Sequence, residues 1–529
     1  MADEFDYVVV GGGSAGCVIA SRLSEDPRST VCLLEAGGSG ESFLINMPFG
    51  VAIMLPTPIH NWAFHTVPQA GLNGRRGYQP RGRALGGSSA INAMIYVRGH
   101  PWDYDHWASL GNAGWSYADV LPYFKRAENN ETLHDEFHGA GGPLNVAELR
   151  TPNPFQQHFF DACRQLQLPA TRDFNGERQE GVGTYQVTQK DGERCSAARA
   201  YIHPHRQRPN LQIITGARAT RIVFSGKRAS GVEYRLGRQR KTVAARAEVI
   251  VSSGAFQSPQ LLLLSGIGSG EDLRGLGIEV VHELPGVGRN LQDHIDYAFI
   301  RRSGNRDLFG LSPHGIAQLF DGIRRYRRDR RGMMTSNFAE CGGFLKTDPK
   351  LPAPDLQLHL VVAIVDNHSR TRHLGHGFTF HVCLLRPKSR GIVALQSKDP
   401  AAAPKIDPRF LEDPDDVEVM VKGFKLTRRI LDAPALAAAN TRDLYAQGVE
   451  TDEQIRRSLR ERSDTIYHPA GTCKMGVDAL AVVDPQLRVR GVERLRVADA
   501  SIMPTLVGGN TNAPSIMIGE KAADLIRAK

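Results

Sequence analysis

The sequence predicts a mixed α/β protein: a parallel, glycine-punctuated sheet that carries one ligand site, and a second domain on a mostly antiparallel sheet. Three observations lead there. An apolar run, Tyr7-Val8-Val9-Val10, breaks into Gly11-x-Gly13-x-x-Gly16, an apolar helical stretch over 15–23, a second β-rich run over 30–34, and Glu35. Glycine-punctuated segments return at 248–268 and 464–526. Residues 296–454 differ, with longer spacers, charged runs and alternations such as Asp355-Leu356-Gln357-Leu358-His359-Leu360, the period of a strand with two unlike faces.

The first unit predicts the ligand. A continuous apolar run reads as a buried parallel strand. The glycine turn opens a helix whose free N–H groups and positive dipole end hold a pyrophosphate. Glu35, 19 residues after Gly16, is placed to accept hydrogen bonds from an adenosine ribose. Together these features describe a dinucleotide site. The same residues satisfy G-x-S-x-G (Gly12, Ser14, Gly16), the nucleophile elbow of hydrolases, but Ser14 follows the first strand and such an elbow needs earlier strands for its oxyanion loop.

Composition bounds the rest. The 529 residues allow two to four domains, and 41% hydrophobic with 23% charged residues is ordinary globular composition. An acidic N-terminus running straight into the first strand leaves no room for a signal peptide, and no 18-residue apolar stretch predicts a spanning helix. Seven scattered cysteines without metal-ligand spacing read as reduced packing residues, and a cytoplasmic protein is expected. The net charge of +9 comes without any nucleic-acid-binding pattern, so no nucleic acid partner is expected. Six arginines between 324 and 331 read first as a solvated helix face, and second as a peripheral contact with the inner face of a membrane.

Along the chain, residues 40–80 read as a long loop. Residues 82–99 are dense in glycine and suit backbone that approaches a large flat ligand. A short amphipathic helix is expected over 119–126 and a loop over 131–154. Runs 211–215, 219–224 and 229–234 read as a β-meander. The strand 248–252 opens a helix with Pro259 at a tolerated first-turn position. A helix over 515–528 closes the chain.

On these segments the chain resembles the glucose-methanol-choline (GMC) family of flavin oxidoreductases: the fingerprint, 82–105, 254–268, and the blocks around His468 and Asn512 occur in family order. The resemblance implies a Rossmann-like FAD-binding domain over 1–155, 194–295 and 455–529. It implies a substrate domain over 156–193 and 296–454, on a mostly antiparallel sheet backed by helices. Gly11, Gly13, Ser14, Ala15 and Gly16 resemble the pyrophosphate turn, and Glu35 with Ala36 the ribose end. Arg83, Gly87, Ser88 and Asn92, Ala93, Met94, Ile95 are similar to the loop along pyrophosphate and flavin. Ala219 matches the residue whose backbone meets adenine, and Asp499 and Ala500 the segment holding ribityl and pyrimidine. Ile91 stands where some members attach FAD through histidine, which implies non-covalent FAD.

The resemblance makes His468 the active-site base and Asn512, 44 residues later, the partner that orients the substrate oxygen. The implied reaction is oxidation of an alcohol to an aldehyde by hydride transfer to flavin. A neutral imidazole takes the hydroxyl proton, a contribution of roughly 10²- to 10⁴-fold. The C-terminal motifs look most like the choline dehydrogenase and aliphatic alcohol dehydrogenase branch, with a quinone or other acceptor. An oxygen-using oxidase and a redox-silent hydroxynitrile lyase share the fold. A photodecarboxylase is disfavoured because it lacks this histidine and has cysteine where this chain has Leu385.

Overall fold

The computed structural model describes residues 3–439 and 442–528. Strand β1 (Asp3–Val10) is apolar at its inner end because it is central: Val8, Val9 and Val10 are all buried. Through Gly11 the chain enters α1 (Ser14–Leu23) and returns as β2 (Val31–Glu35), parallel to β1 with Val8 opposite Cys32. Gly16 is demanded by this packing, because a Cβ there would lie 1.9 Å from the Gly11 carbonyl oxygen.

Strand β3 (Leu211–Thr215) extends the parallel sheet beyond β2. Strands β4 (Ala217–Ser225), β5 (Arg228–Leu236) and β6 (Gln239–Val251) form an antiparallel meander, and the second half of β6 runs parallel to β1. The order is β3-β2-β1-β6-β5-β4, with the strand Leu495–Val497 beside the end of β6. The meander expected from 211–215 onward is thus displaced by one strand. Alternation identifies a strand but not its partner, and 211–215 finds its partner in β2.

Helix α2 (Gly254–Leu264) follows β6, and Pro259 lies in its interior, not in its first turn. A proline there deprives the Ala255 carbonyl of its helical donor. The Thr472 hydroxyl replaces it, donating to Ala255 O at 2.6 Å, which ties α2 to the segment around His468. The expected 40–80 loop contains short helices at Phe43–Asn46 and Val51–Met54.

The second sheet is antiparallel throughout. Its main strands are β7 (Ile295–Ser303), β8 (Ala339–Leu345), β9 (Leu356–Val361) and β10 (Gly375–Leu384), in the order β7-β10-β9-β8, with the strand Gly181–Thr184 beyond β8. The 355–360 alternation is explained here. Leu356, Leu358 and Leu360 join Phe378, Phe380 and Val382 in one core, capped by Met420, Val421 and Phe424 of the helix Pro414–Asp432. Gln357 and His359 point to the opposite face.

The last helix, Asn512–Arg527, packs along α1, where Arg22 pairs with the fully buried Glu520 at 2.9 Å. All seven cysteines are free and buried. No helix among the described residues is long and apolar enough to cross a membrane.

Candidate active site

A cavity of about 960 Å³ is lined by residues of both sheets, at the upper end of the about 300–1,000 Å³ usual for small-molecule sites. One part of its wall is the turn between β1 and α1, where Gly11, Gly13, Ser14 and Ala15 border the space. Among the described residues no side chain caps this end of α1, so its first-turn N–H groups are left for an anionic ligand in the cavity. Gly16 is behind the turn, a packing residue. Glu35 and Ala36 border the same region. The Glu35 carboxylate accepts the N–H groups of Gly12 at 2.9 Å and Gly37 at 2.6 Å, and burial pushes its pKa up to about 7.

The glycine-rich loop crosses directly over this turn: a Cβ on Gly87 would lie 2.7 Å from Gly13 Cα. Gly87, Ser88, Asn92, Ala93, Met94 and Ile95 all line the cavity, and Met94 adopts φ 59°, a left-handed conformation rare outside glycine. Arg83 does not line it. That side chain is exposed, with its guanidinium 4.7 Å from the ring centre of Trp62, which itself borders the space. The cation fastened to the loop is instead Arg194, which the sequence reading missed. Buried Arg194 donates to Ile45 O at 2.9 Å, Asn92 O at 2.7 Å and Asn92 Oδ1 at 2.8 Å.

Ala219 and Ala500 border the cavity, as does Asp499. The Asp499 carboxylate accepts from Gly254 N, Ser258 Oγ and Ser501 N at 2.5–2.9 Å, so it fixes the turn after the strand Leu495–Val497 against the start of α2.

His468 lies in the same cavity, 8% exposed. Its backbone N–H donates to Asp293 Oδ1 at 2.8 Å, and Asp293 Oδ2 accepts the Thr465 hydroxyl at 2.6 Å. Tyr467, just before it, has φ 77°, so the ring is presented by a backbone bend that bulky residues seldom adopt. Burial, reinforced by neighbouring His294, His359 and Arg81, holds the His468 pKa well below the ordinary value.

The hydrogen bonds define the tautomer. His294 Nε2 faces the Leu385 carbonyl at 3.1 Å, and a carbonyl can only accept, so the His294 proton sits on Nε2. Its Nδ1 is then an acceptor, and His468 Nδ1, 3.0 Å away, is the donor. His468 Nε2 is left with a lone pair, which faces Asn510 Nδ2 at 3.2 Å. Gln357 fixes that amide's orientation by donating to Asn510 Oδ1 at 3.1 Å.

The amide facing His468 is therefore Asn510, which corrects the expectation for Asn512. Asn512 also lines the cavity, but it starts the last helix and accepts the Ser14 hydroxyl at 2.8 Å. The two asparagines stand in the same Asn-Thr-Asn, and residue spacing alone does not tell which one faces the imidazole.

A base lone pair beside an amide donor matches an alcohol, whose hydroxyl donates to one and accepts from the other. The face of the second sheet contributes two further polar groups. Buried His359 Nδ1 and Asp296 Oδ1 have no partner among the described residues, while Asp296 Oδ2 accepts from His381 Nδ1 at 2.6 Å. Both residues line the cavity.

Models of the GMC oxidoreductase family match residues 5–296 and 387–519. The chain is 46% identical to an alcohol dehydrogenase [acceptor] of Pseudomonas putida, over 99% of this chain and 96% of that protein. It is 44% identical to the mitochondrial choline dehydrogenase of Homo sapiens, over 100% and 90%. Among solved structures it is similar to pyridoxine 4-oxidase from Mesorbium loti (31% identity, TM-score 0.89, 99% of each chain). It is also similar to an FAD-dependent oxidoreductase from Chaetomium thermophilum (28%, 0.90, 99% of each chain).

Proposed function

This chain belongs to the GMC oxidoreductase family, and from that premise we propose that it is an FAD-dependent dehydrogenase that oxidises an alcohol to an aldehyde and passes the electrons to a quinone or another acceptor. The observation that carries the reading is the pairing of His468 Nε2, held as a lone pair, with the Asn510 amide N–H in one buried cavity. A dehydrogenase is favoured by the names of the relatives, alcohol dehydrogenase [acceptor] and choline dehydrogenase.

The residues fit FAD as cofactor: an uncapped helix start for the pyrophosphate, Glu35 for the ribose, and a cavity bordered also by Ala219, Asp499 and the 87–95 loop. Bound there, FAD would supply the two-electron oxidant for the carbon that bears the hydroxyl. The protein's part is to hold and deprotonate that hydroxyl. Asn510 donates to the substrate oxygen while His468 Nε2 accepts its proton, which leaves a carbonyl group once the carbon has lost its hydride. His294 is a positioning residue, keeping the His468 proton on Nδ1. In this reading residues 1–155, 194–295 and 455–529 form the cofactor domain, and 156–193 with 296–454 the substrate domain.

Asp296, 7% exposed with one oxygen unpartnered among the described residues, favours alcohols that carry a positive charge. The reading is tested by mixing the FAD-loaded protein anaerobically with primary, aromatic and quaternary-ammonium alcohols and following the oxidised-flavin absorbance. An alcohol that bleaches the flavin in the wild type, and at least ~10²-fold more slowly in His468→Ala, supports it. A flavin that no alcohol bleaches overturns it in favour of redox-silent chemistry such as a lyase.

A further inference from the structure

The exposed apolar side chains are unevenly distributed. Eleven large hydrophobic residues are exposed among the described residues, and seven of them, Phe43, Ile53, Ile59, Leu311, Ile316, Phe320 and Leu374, fall within 43–59 and 311–374. The helix Pro313–Asp329, here α3, joins the two segments. Its inner face buries Gly315, Gly322 and Tyr326, and the Tyr326 ring meets Phe43 edge-on at 6.4 Å.

The outer face of α3 has a different composition. Ile316 and Phe320, one turn apart, are 57% and 69% exposed, and Arg324, Arg327 and Arg328 continue the same side towards the C-terminus. Leu311, just before α3, pairs with Leu374, which is 77% exposed. The 363–371 stretch beside Leu374 lines the cavity, as do Val51 and Ala52 beside Ile53. Arg325 pairs with Asp321 at 2.7 Å and Arg328 with Asp329 at 3.0 Å, whereas Arg324, Arg327 and Arg331 form no ion pair among the described residues.

We propose that this face, α3 with its flanking apolar residues, docks on the surface of an anionic lipid bilayer. Its apolar part would enter the headgroup boundary and its arginines meet the lipid phosphates, the arrangement of an amphipathic helix lying in the interface plane. A second copy of this chain would present the same basic stretch against itself, and this like-charge contact favours the membrane as partner. The docked protein would lie on the bilayer with the 363–371 wall of the cavity beside it. The inference does not rest on the reaction proposed above.

The test uses the FAD-loaded protein and flotation with vesicles of phosphatidylcholine alone or mixed with phosphatidylglycerol. The expected result is binding to the mixed vesicles only, weakened by salt, since exposed charges are screened within about 8 Å at physiological ionic strength. Replacing Arg324, Arg327 and Arg328 together by serine lowers the partition coefficient on the order of 100-fold. Ile316→Ser with Phe320→Ser lowers it at least ~10-fold at unchanged charge. Turnover with a soluble dye is unchanged in both variants, which separates lost docking from lost folding. Absence of binding by the wild type, or binding that survives both variants, overturns the proposal. So does a wild-type dimer that Phe320→Ser converts to monomer, because a second copy then covers the face.

Discussion

His294 and His468 meet through their Nδ1 atoms at 3.0 Å with ring planes nearly perpendicular, 89° apart. Two imine-type nitrogens can share only one hydrogen, and the Leu385 carbonyl on the far side of His294 assigns it to His468. A residue from the start of the second sheet thereby sets the protonation pattern of one from the C-terminal block.

Replacing His294 should expose that dependence. His294→Ala is expected to slow flavin reduction by an alcohol about 10- to 100-fold by releasing the His468 tautomer, with FAD content unchanged. His294→Asn, whose side-chain oxygen can accept from His468 Nδ1, should recover part of the loss. Stopped-flow reduction of matched, fully flavinated samples measures both, and an asparagine variant no better than alanine argues that His294 only fills space.

The two asparagines should separate by readout. Asn510→Ala is expected to lower the rate of flavin reduction at least ~10-fold, because the substrate oxygen loses a donor worth about 1.5–3 kcal/mol to a developing charge. Asn512→Ala removes the partner of Ser14 at the pyrophosphate turn, so it should weaken FAD retention more than the rate of the loaded enzyme. The reverse pattern would restore Asn512 as the residue that acts on the substrate.

Charge selection should reside in Asp296. Asp296→Asn keeps the shape and removes the charge. It is expected to raise KM at least ~10-fold for quaternary-ammonium alcohols and less than ~2-fold for neutral alcohols of similar size. Steady-state kinetics with a soluble dye compare the two classes, and equal effects on both would remove the electrostatic reading.

Acid should destabilise the protein through its buried imidazoles. Burial holds His294 and His359 down to about 3, against about 6.5 in an unfolded chain. Between those values the unfolded chain binds more protons, so the stability these groups contribute is present above pH ~6.5 and lost as pH falls. Glu35 and Asp293, pushed up to about 7 and about 6 by burial, act in the opposite sense, so one variant must isolate the effect of an imidazole. His359→Gln should flatten the fall of Tm between pH 6.5 and 5, each imidazole contributing up to ~1.4 kcal/mol per pH unit. An unchanged slope would mean that His359 titrates in the folded protein as it does in the unfolded chain.

Much of this protein was legible in its residues. The run Tyr7 to Glu35 declares strand, turn, helix and strand because the turn itself is local: Gly11 takes a φ of 101° and a Cβ on Gly16 would meet the Gly11 carbonyl oxygen, although the space at Gly11 is closed by Ser252 and Ser253 from far along the chain. The alternation at 355–360 declared a two-faced strand for the same reason, and its leucines do face a helix while on the other face His359 lines the cavity and Gln357 reaches Asn510. What the sequence could not supply was partnership across long distances. The run 211–215 looks like a meander strand until β2 takes it, and Pro259 looks like a helix starter until Thr472 satisfies the carbonyl it strands. Arg83 looks like the cofactor-loop cation, yet Arg194 is the one fastened to Asn92. Asn510 and Asn512 are separated only by the backbone path into the last helix, which turns one toward His468 and the other toward Ser14. Local chemistry is written in short patterns because covalent geometry enforces it. Which donor meets which acceptor is decided by packing, since the partners are 174 residues apart for His294 and His468 and 153 for Gln357 and Asn510.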